Sequence, residues 1–114
     1  MWQNTTPSRR LTSRIEEPED VWVLWQCDGR EAVSRVRNIS MGGLFIETAR
    51  PRSVGAVSQL TFLVPEGQIR AEAAVRHAKP DNGVGLHFVA VTEDDGPKLA
   101  ALMSRLRSLS RARR

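Results

Sequence analysis

The stretch Arg37–Glu47, RNISMGGLFIE, reads as a strand that stops at a glycine pair and then resumes. Asn38 and Ser40 stand two apart, so a strand presents both on one face and Ile39 on the other. Asn is depleted from strand interiors, so its place here needs a reason. The plain reason is a turn signal, an Asx/Ser pair ahead of two glycines. The sharper one is a strand whose outer face is built to hold something. Gly42 and Gly43 serve both readings, because they permit a tight turn and let a ligand come close to the backbone.

Outward from this stretch the strand period continues. Upstream, DVWVLWQC (20–27) sets Val21, Val23 and Trp25 against Trp22, Leu24 and Gln26. Asp28-Gly29 is a hairpin signal leading into REAVSRVRNIS (30–40). Downstream, GGLFIETA (42–49) is a third strand and PRSVG (51–55) a loop. AVSQLTFLV (56–64) puts Leu60, Phe62 and Val64 on one face, and PEGQ (65–68) is a turn. QIRAEAAVRHA (68–78) alternates Ile69, Ala71, Ala73 and Val75. PDNG, Pro80–Gly83, is a second hairpin signal before VGLHFV (84–89), with Val84, Leu86 and Phe88 on one face. The period then changes. Leu99, Leu102, Met103, Leu106 and Leu109 fall at helical spacing, with Thr92, Asp95 and Pro97 marking a helix start. These elements predict an all-β fold with one helix: a six-stranded antiparallel β-barrel closed by a C-terminal helix over 20–110. A flexible N-terminal arm over 1–19 precedes it, and a basic tail over 111–114 follows.

The length of 114 residues fits one domain with a core of its own. Cys27 is the single cysteine, which excludes an intrachain disulfide and suits a reducing compartment. The N-terminus has no apolar run of a signal peptide, and no window approaches the roughly 18 apolar residues of a membrane span. The expectation is a small soluble cytoplasmic protein without membrane insertion. Seventeen cations against 13 anions leave a net charge of +4, and all the cations except Lys79 and Lys98 are arginine. Genome composition accounts for such a bias in the plain reading. In the sharper one, arginine suits bidentate recognition of phosphates and guanine edges.

Catalytic machinery is not visible. His77, His87 and Cys27 lack the spacing of a metal site, so no metal and no cofactor is expected and the chain does not read as an enzyme. The glycines of SMGG and GVG are not followed by the Lys-Ser/Thr of a phosphate loop. Binding signals are stronger. Arg10 and Arg14, four apart, share a face in either a helix or a strand and can act as a clamp.

RLTSR (Arg10–Arg14) and NISMGG (Asn38–Gly43) resemble the RxxxR and [D/N]xSxxG motifs of the PilZ domain family, bacterial receptors for cyclic di-GMP. The similarity extends over the arm, the GLFIE strand, the GVGLHF strand and the closing helix. Every signature position is filled, by Arg10, Arg14, Asn38, Ser40 and Gly43. The resemblance implies a six-stranded barrel and a cyclic di-GMP site. In it Arg10 and Arg14 take phosphates and a guanine, Asn38 and Ser40 hydrogen-bond a guanine from the barrel side, and Gly43 shapes the turn beneath. Arg9 precedes the first motif arginine, a position where a cation resembles members that take an intercalated dimer of cyclic di-GMP. Gly42, Arg76 and His77 are further candidates at the edge of the site. The implied output is an arm that orders over the ligand and signals to an unidentified downstream protein, in processes such as motility and biofilm formation.

Two other readings compete. One is a PilZ-like adaptor that has lost the ligand and acts by protein contacts, as in type IV pilus assembly; the intact RLTSR argues against it. The other is a basic barrel binding nucleic acid through cations and stacking aromatics. Against it, Trp22, Trp25, Phe45, Phe62 and Phe88 lie in strand patterns that read as core, so neither DNA nor RNA is expected as a partner.

Overall fold

The computed structural model describes residues 14–50, 52–79 and 81–112. Seven strands and a helix follow in chain order: β1 Ile15–Glu16, β2 Trp22–Cys27, β3 Arg30–Ser40, β4 Gly43–Glu47, β5 Val57–Val64, β6 Gly67–Lys79, β7 Gly83–Val91 and α1 Gly96–Ala112. Six strands run in the order β3-β2-β5-β6-β7-β4, all antiparallel, and β4 returns to pair with β3. The sheet therefore closes as the six-stranded barrel that the sequence predicts, which leaves these strands no open edge.

β1 is an addition. It pairs Ile15 with Ile39 and Glu16 with Asn38, on the part of β3 beyond Arg35 where the pairing with β2 ends. The expected arm over 1–19 is corrected at its inner end, because Ile15 is buried in the core and the Glu17 N–H donates to the Arg37 carbonyl at 2.7 Å. One isoleucine among polar neighbours has no period, which hides the strand from alternation.

Elsewhere alternation holds. Val21 just before β2, Val23 and Trp25 of β2, Leu60 and Phe62 of β5, Ile69, Ala73 and Val75 of β6, and Val84 and Leu86 of β7 form one core. Burying a large apolar side chain contributes about 1.5–3 kcal/mol, so this inward register is strongly specified. Asp28 and Gly29 both take left-handed φ, 55° and 75°, as a two-residue hairpin loop between paired Cys27 and Arg30 requires. Two aromatics depart from the expected core. Trp22 is 43% exposed on the outer face of β2, and Phe45 is half-buried on the outer face of β4.

The two ends of the barrel are closed differently. At the Cys27 end of β2, the Trp25 indole N–H donates to Ser34 Oγ at 2.9 Å, and the buried Arg52 guanidinium lies 4.5 Å over the Trp25 ring. Arg52 also donates to the carbonyls of Cys27 and Arg50. The stretch that reads as a plain loop, PRSVG, thus supplies an interior side chain. At the other end α1 packs on β6 and β1 through Leu99, Leu102, Met103 and Leu106, while Leu109 is exposed. Asp95 sits just before α1 with its side chain 1% exposed. Its carboxylate accepts the Arg70 backbone N–H at 3.0 Å and its carbonyl accepts from Leu99, so it ties the helix start to β6. Thr92 holds the preceding turn by accepting the Asp95 N–H. Arg105 binds Glu66 at 2.6 Å and fixes the middle of the helix to the β5–β6 turn.

Candidate functional site

Two bulges and a glycine seam make one face of the barrel unlike the rest. In β3 the register with β4 shifts between Val36 and Asn38, leaving Arg37 unpaired against β4. In β6 the register with β7 shifts between Val75 and His77, leaving Arg76 as the extra residue. Each bulge turns two consecutive polar residues outward, Arg37-Asn38 and Arg76-His77, and returns the next residue, Ile39 or Ala78, toward the interior. Between these strands lie β4 and β7, whose outer face carries glycine at 43, 83 and 85. A Cβ on Gly43 would sit 2.1 Å from the Leu86 carbonyl oxygen, and one on Gly83 2.1 Å from that of Ile46. A Cβ on Gly85 would meet the His77 ring at 2.3 Å.

The face that results is a depression of about 700 Å³, within the roughly 300–1,000 Å³ of small-molecule sites. Main chain and glycine form its floor. Arg14, Glu16, Glu17, Arg37, Asn38 and Ser40 line one rim, and Arg76, His77, Lys79 and His87 the other. Arg14 Nη1 donates to Asn38 Oδ1 at 2.8 Å, so the last motif arginine already rests on the first residue of the second motif. Ser40 is buried, accepts the Gly42 N–H at 3.2 Å and donates to the Gly43 carbonyl at 3.5 Å, across the two-residue Met41-Gly42 loop. Ser40 braces the hairpin, and the Asn38 side chain lies on the rim. The expected role of Gly43 beneath the turn is refined, because close approach of β7, rather than turn geometry, demands glycine there.

On the opposite rim the His77 ring stacks on Phe45, with centroids 6.0 Å apart and planes 27° from parallel, and Lys79 Nζ lies 5.7 Å over Phe45. Glycine at 83 and 85 lets both rings lie flat on β7. On the first rim Arg37 donates to both oxygens of Glu17, at 2.6 Å for the shortest, and to Glu47 at 2.8 Å. Arg35 approaches Glu17 at 3.7 Å. Hydrogen bonding from Arg37 holds the Glu17 carboxyl below the usual carboxylate range, and Glu17 in turn raises the Arg37 guanidinium. Glu17 takes a left-handed φ of 48°, an uncommon conformation for a side-chain-bearing residue.

Of the residues singled out in the sequence, Arg14, Asn38, Ser40, Gly42, Gly43, Arg76 and His77 line this one depression. Arg9 and Arg10 lie outside the described residues. Arg37, Phe45, Lys79 and Glu17 were not among the candidates, although Arg37 adjoins the second motif. Planar rings, an amide and guanidinium groups around an open floor suit a flat, anionic ligand with hydrogen-bonding edges. Among the described residues no cluster of three His, Cys, Asp or Glu side chains is placed to hold a metal ion, and no helix is long and apolar enough to cross a membrane.

The comparisons agree with this geometry at the level of fold. MrkH of K. pneumonia, solved in its apo state, superposes with a TM-score of 0.76 at 16% identity over 90% of this chain and 51% of that one. An uncharacterized Legionella protein gives 0.57 at 21% identity over 87% and 98%. PlzA of Borreliella burgdorferi, solved in complex with c-di-GMP, gives 0.52 at 12% identity over 80% and 34%. The chain thus spans about half the length of MrkH. No curated protein matches it. Residues 8–105 match the PilZ domain profile. That match takes in both rims of the depression, and with it the chain belongs to the PilZ domain family, a family of cyclic di-GMP receptors.

Proposed function

We propose that this chain binds cyclic di-GMP on the β3–β4–β7–β6 face and passes the bound state to a protein partner. The observation that supports the reading most is the Arg14–Asn38 hydrogen bond at the rim of the open depression. It joins the two signature motifs at a site of suitable size. In this reading Arg10 and Arg14 take phosphate oxygens or a guanine edge. Asn38 and the bulge residues Arg76 and His77 meet the bases, while Ser40 and Gly43 keep the floor open. Arg9 supplies charge for a second, intercalated ligand. Bringing the arm and the barrel onto one ligand is the step a partner would read.

Calorimetric titration with cyclic di-GMP, with GTP and cyclic AMP as controls, tests this. Saturable binding selective for the dinucleotide is expected, with two ligands per chain if Arg9 has the proposed role. Arg14→Ala should weaken binding by about 10- to 100-fold, the equivalent of the roughly 1.5–3 kcal/mol of a hydrogen bond to a charged group. Folded protein that gives no heat with the dinucleotide would refute the receptor reading and leave an adaptor acting by protein contacts.

A further inference from the structure

The outer face of β2, β3 and β5, on the side of the barrel away from the glycine seam, carries apolar side chains that the core does not use. Strand register makes them one patch. Trp22 is paired with Leu63 on β5, and Leu24 with Val33 on β3. Trp22, Leu63 and Val33 are 43%, 50% and 55% exposed, and Leu24 is half-buried between them. Large exposed apolar side chains are ordinary when scattered; contiguous ones mark contact surfaces. Tryptophan is also the residue most enriched at interface hot spots.

Cations bracket the patch on both sides. Arg35 is the β3 partner of Trp22. Across β5, Thr61 is paired with Arg70, whose side chain is 62% exposed. Lys98 donates to the carbonyl of Gln68, which is Leu63's own partner on β6. Carboxylates already touch these groups: the exposed Glu17 faces Arg35 at 3.7 Å, and the buried Asp95 faces Arg70 and Lys98 at 3.5 and 3.4 Å. Those contacts are long and shared, so the outward sides of the cations stay available to a partner. The acidic groups of this face, Glu31 and Glu72, lie one step further along the strands, opposite Gln26 and Gln59. Charge also selects against the chain itself as occupant. Residues 1–13 contain two arginines and no acid, and a second copy brings a net charge of +4.

We infer that the Trp22–Leu24–Val33–Leu63 patch docks an acidic amphipathic segment of another protein, its apolar stripe on the patch and its carboxylates toward Arg35, Arg70 and Lys98. This inference does not rest on ligand binding, because the patch shares no residue with the depression.

Two synthetic helical peptides with the same leucine stripe, one with glutamate and one with lysine at the polar positions, test it against the full chain. The readouts are calorimetry and backbone amide shift mapping. The expected result is saturable binding of the glutamate peptide alone, with shifts confined to β2, β3 and β5 and to the flanking stretches about Arg70 and Lys98. Trp22→Ser should weaken it by about ten-fold or more, and Arg35→Glu with Arg70→Glu should transfer binding to the lysine peptide. Trp22 is exposed, so Trp22→Ser should melt within a few degrees of wild type, and a second variant, Leu63→Ser, guards against a local fault. Equal binding of the two peptides, shifts on another face, or indifference to both serine variants would overturn the assignment. So would a Trp22-dependent dimer in sedimentation, or Trp22-dependent binding to anionic phosphatidylglycerol vesicles without peptide binding.

Discussion

Two neighbouring glycines illustrate how differently adjacent residues can be constrained. Gly42 lies in the β3–β4 loop, where an added Cβ would meet only Ser40 Oγ at 3.9 Å, an ordinary contact. At Gly43 the same atom would lie 2.1 Å from the Leu86 carbonyl, which is backbone and cannot step aside. Gly42→Ala should therefore be nearly neutral, and Gly43→Ala should cost about 3 kcal/mol or more by prising β4 from β7. Urea unfolding of the pair measures this, and equal midpoints would refute the argument. At the same scale, the pattern of polar and apolar residues made Asn38, Ser40 and Ile39 legible, since alternation about Ile39 is intact. It could not reveal Arg37 as a rim residue, because one unpaired residue leaves no mark in a two-residue period. Trp22 went wrong for another reason. Its position in the alternation already set it opposite Val21 and Val23, and its apolar character argued it inward against that register.

At the scale of elements, the bend between β1 and β2 and the junction between β7 and α1 are each held by a carboxylate. Glu17, in the bend, occupies Arg37 on the rim of the depression. A ligand phosphate would compete with it for the same guanidinium. Glu17→Gln should therefore raise affinity for cyclic di-GMP by about 3- to 10-fold, read by calorimetry; weaker binding would mean that Glu17 positions Arg37 instead. Asp95, at the junction, is held below the ordinary carboxylate range, first by the Arg70 backbone N–H and then by Thr92 and Lys98. A depressed folded-state pKa contributes stability that is present above the unfolded value of about 3.9 and is lost as pH falls through the folded one. Asp95→Asn keeps a capping acceptor but removes the charge. Its melting temperature should start below wild type at neutral pH and converge on it as pH falls through the lowered folded-state pKa; parallel curves would show that the charge contributes nothing. The existence of the helix and of β2 to β7 was legible from period, and that of β1 was not. The anchoring of Asp95 to β6 was not, since Arg70 lies 25 residues away.

At the scale of the whole molecule, the barrel separates two surfaces that share a rigid core. Glu17 touches a cation of each, Arg35 and Arg37, whereas Trp22 and Arg14 belong to one surface each, and changes at such separate sites act nearly additively. Trp22→Ser should bind cyclic di-GMP as wild type does, and Arg14→Ala should retain the glutamate peptide; calorimetry on both variants with both probes checks it. Loss of both activities in either variant would mean that the faces are coupled. The closed barrel itself was legible from six alternating segments and two hairpin signals, whereas the Arg52–Trp25 plug was hidden in a segment with no period. The glycine seam has one more consequence, for inheritance. Gly43, Gly83 and Gly85 contribute only peptide to the face, and peptide is the same whatever the codon. A descendant of this chain can redraw such a surface only through the side chains around those glycines, at Arg37, Asn38, Phe45, Arg76 and His77, while the peptide between them passes on unaltered.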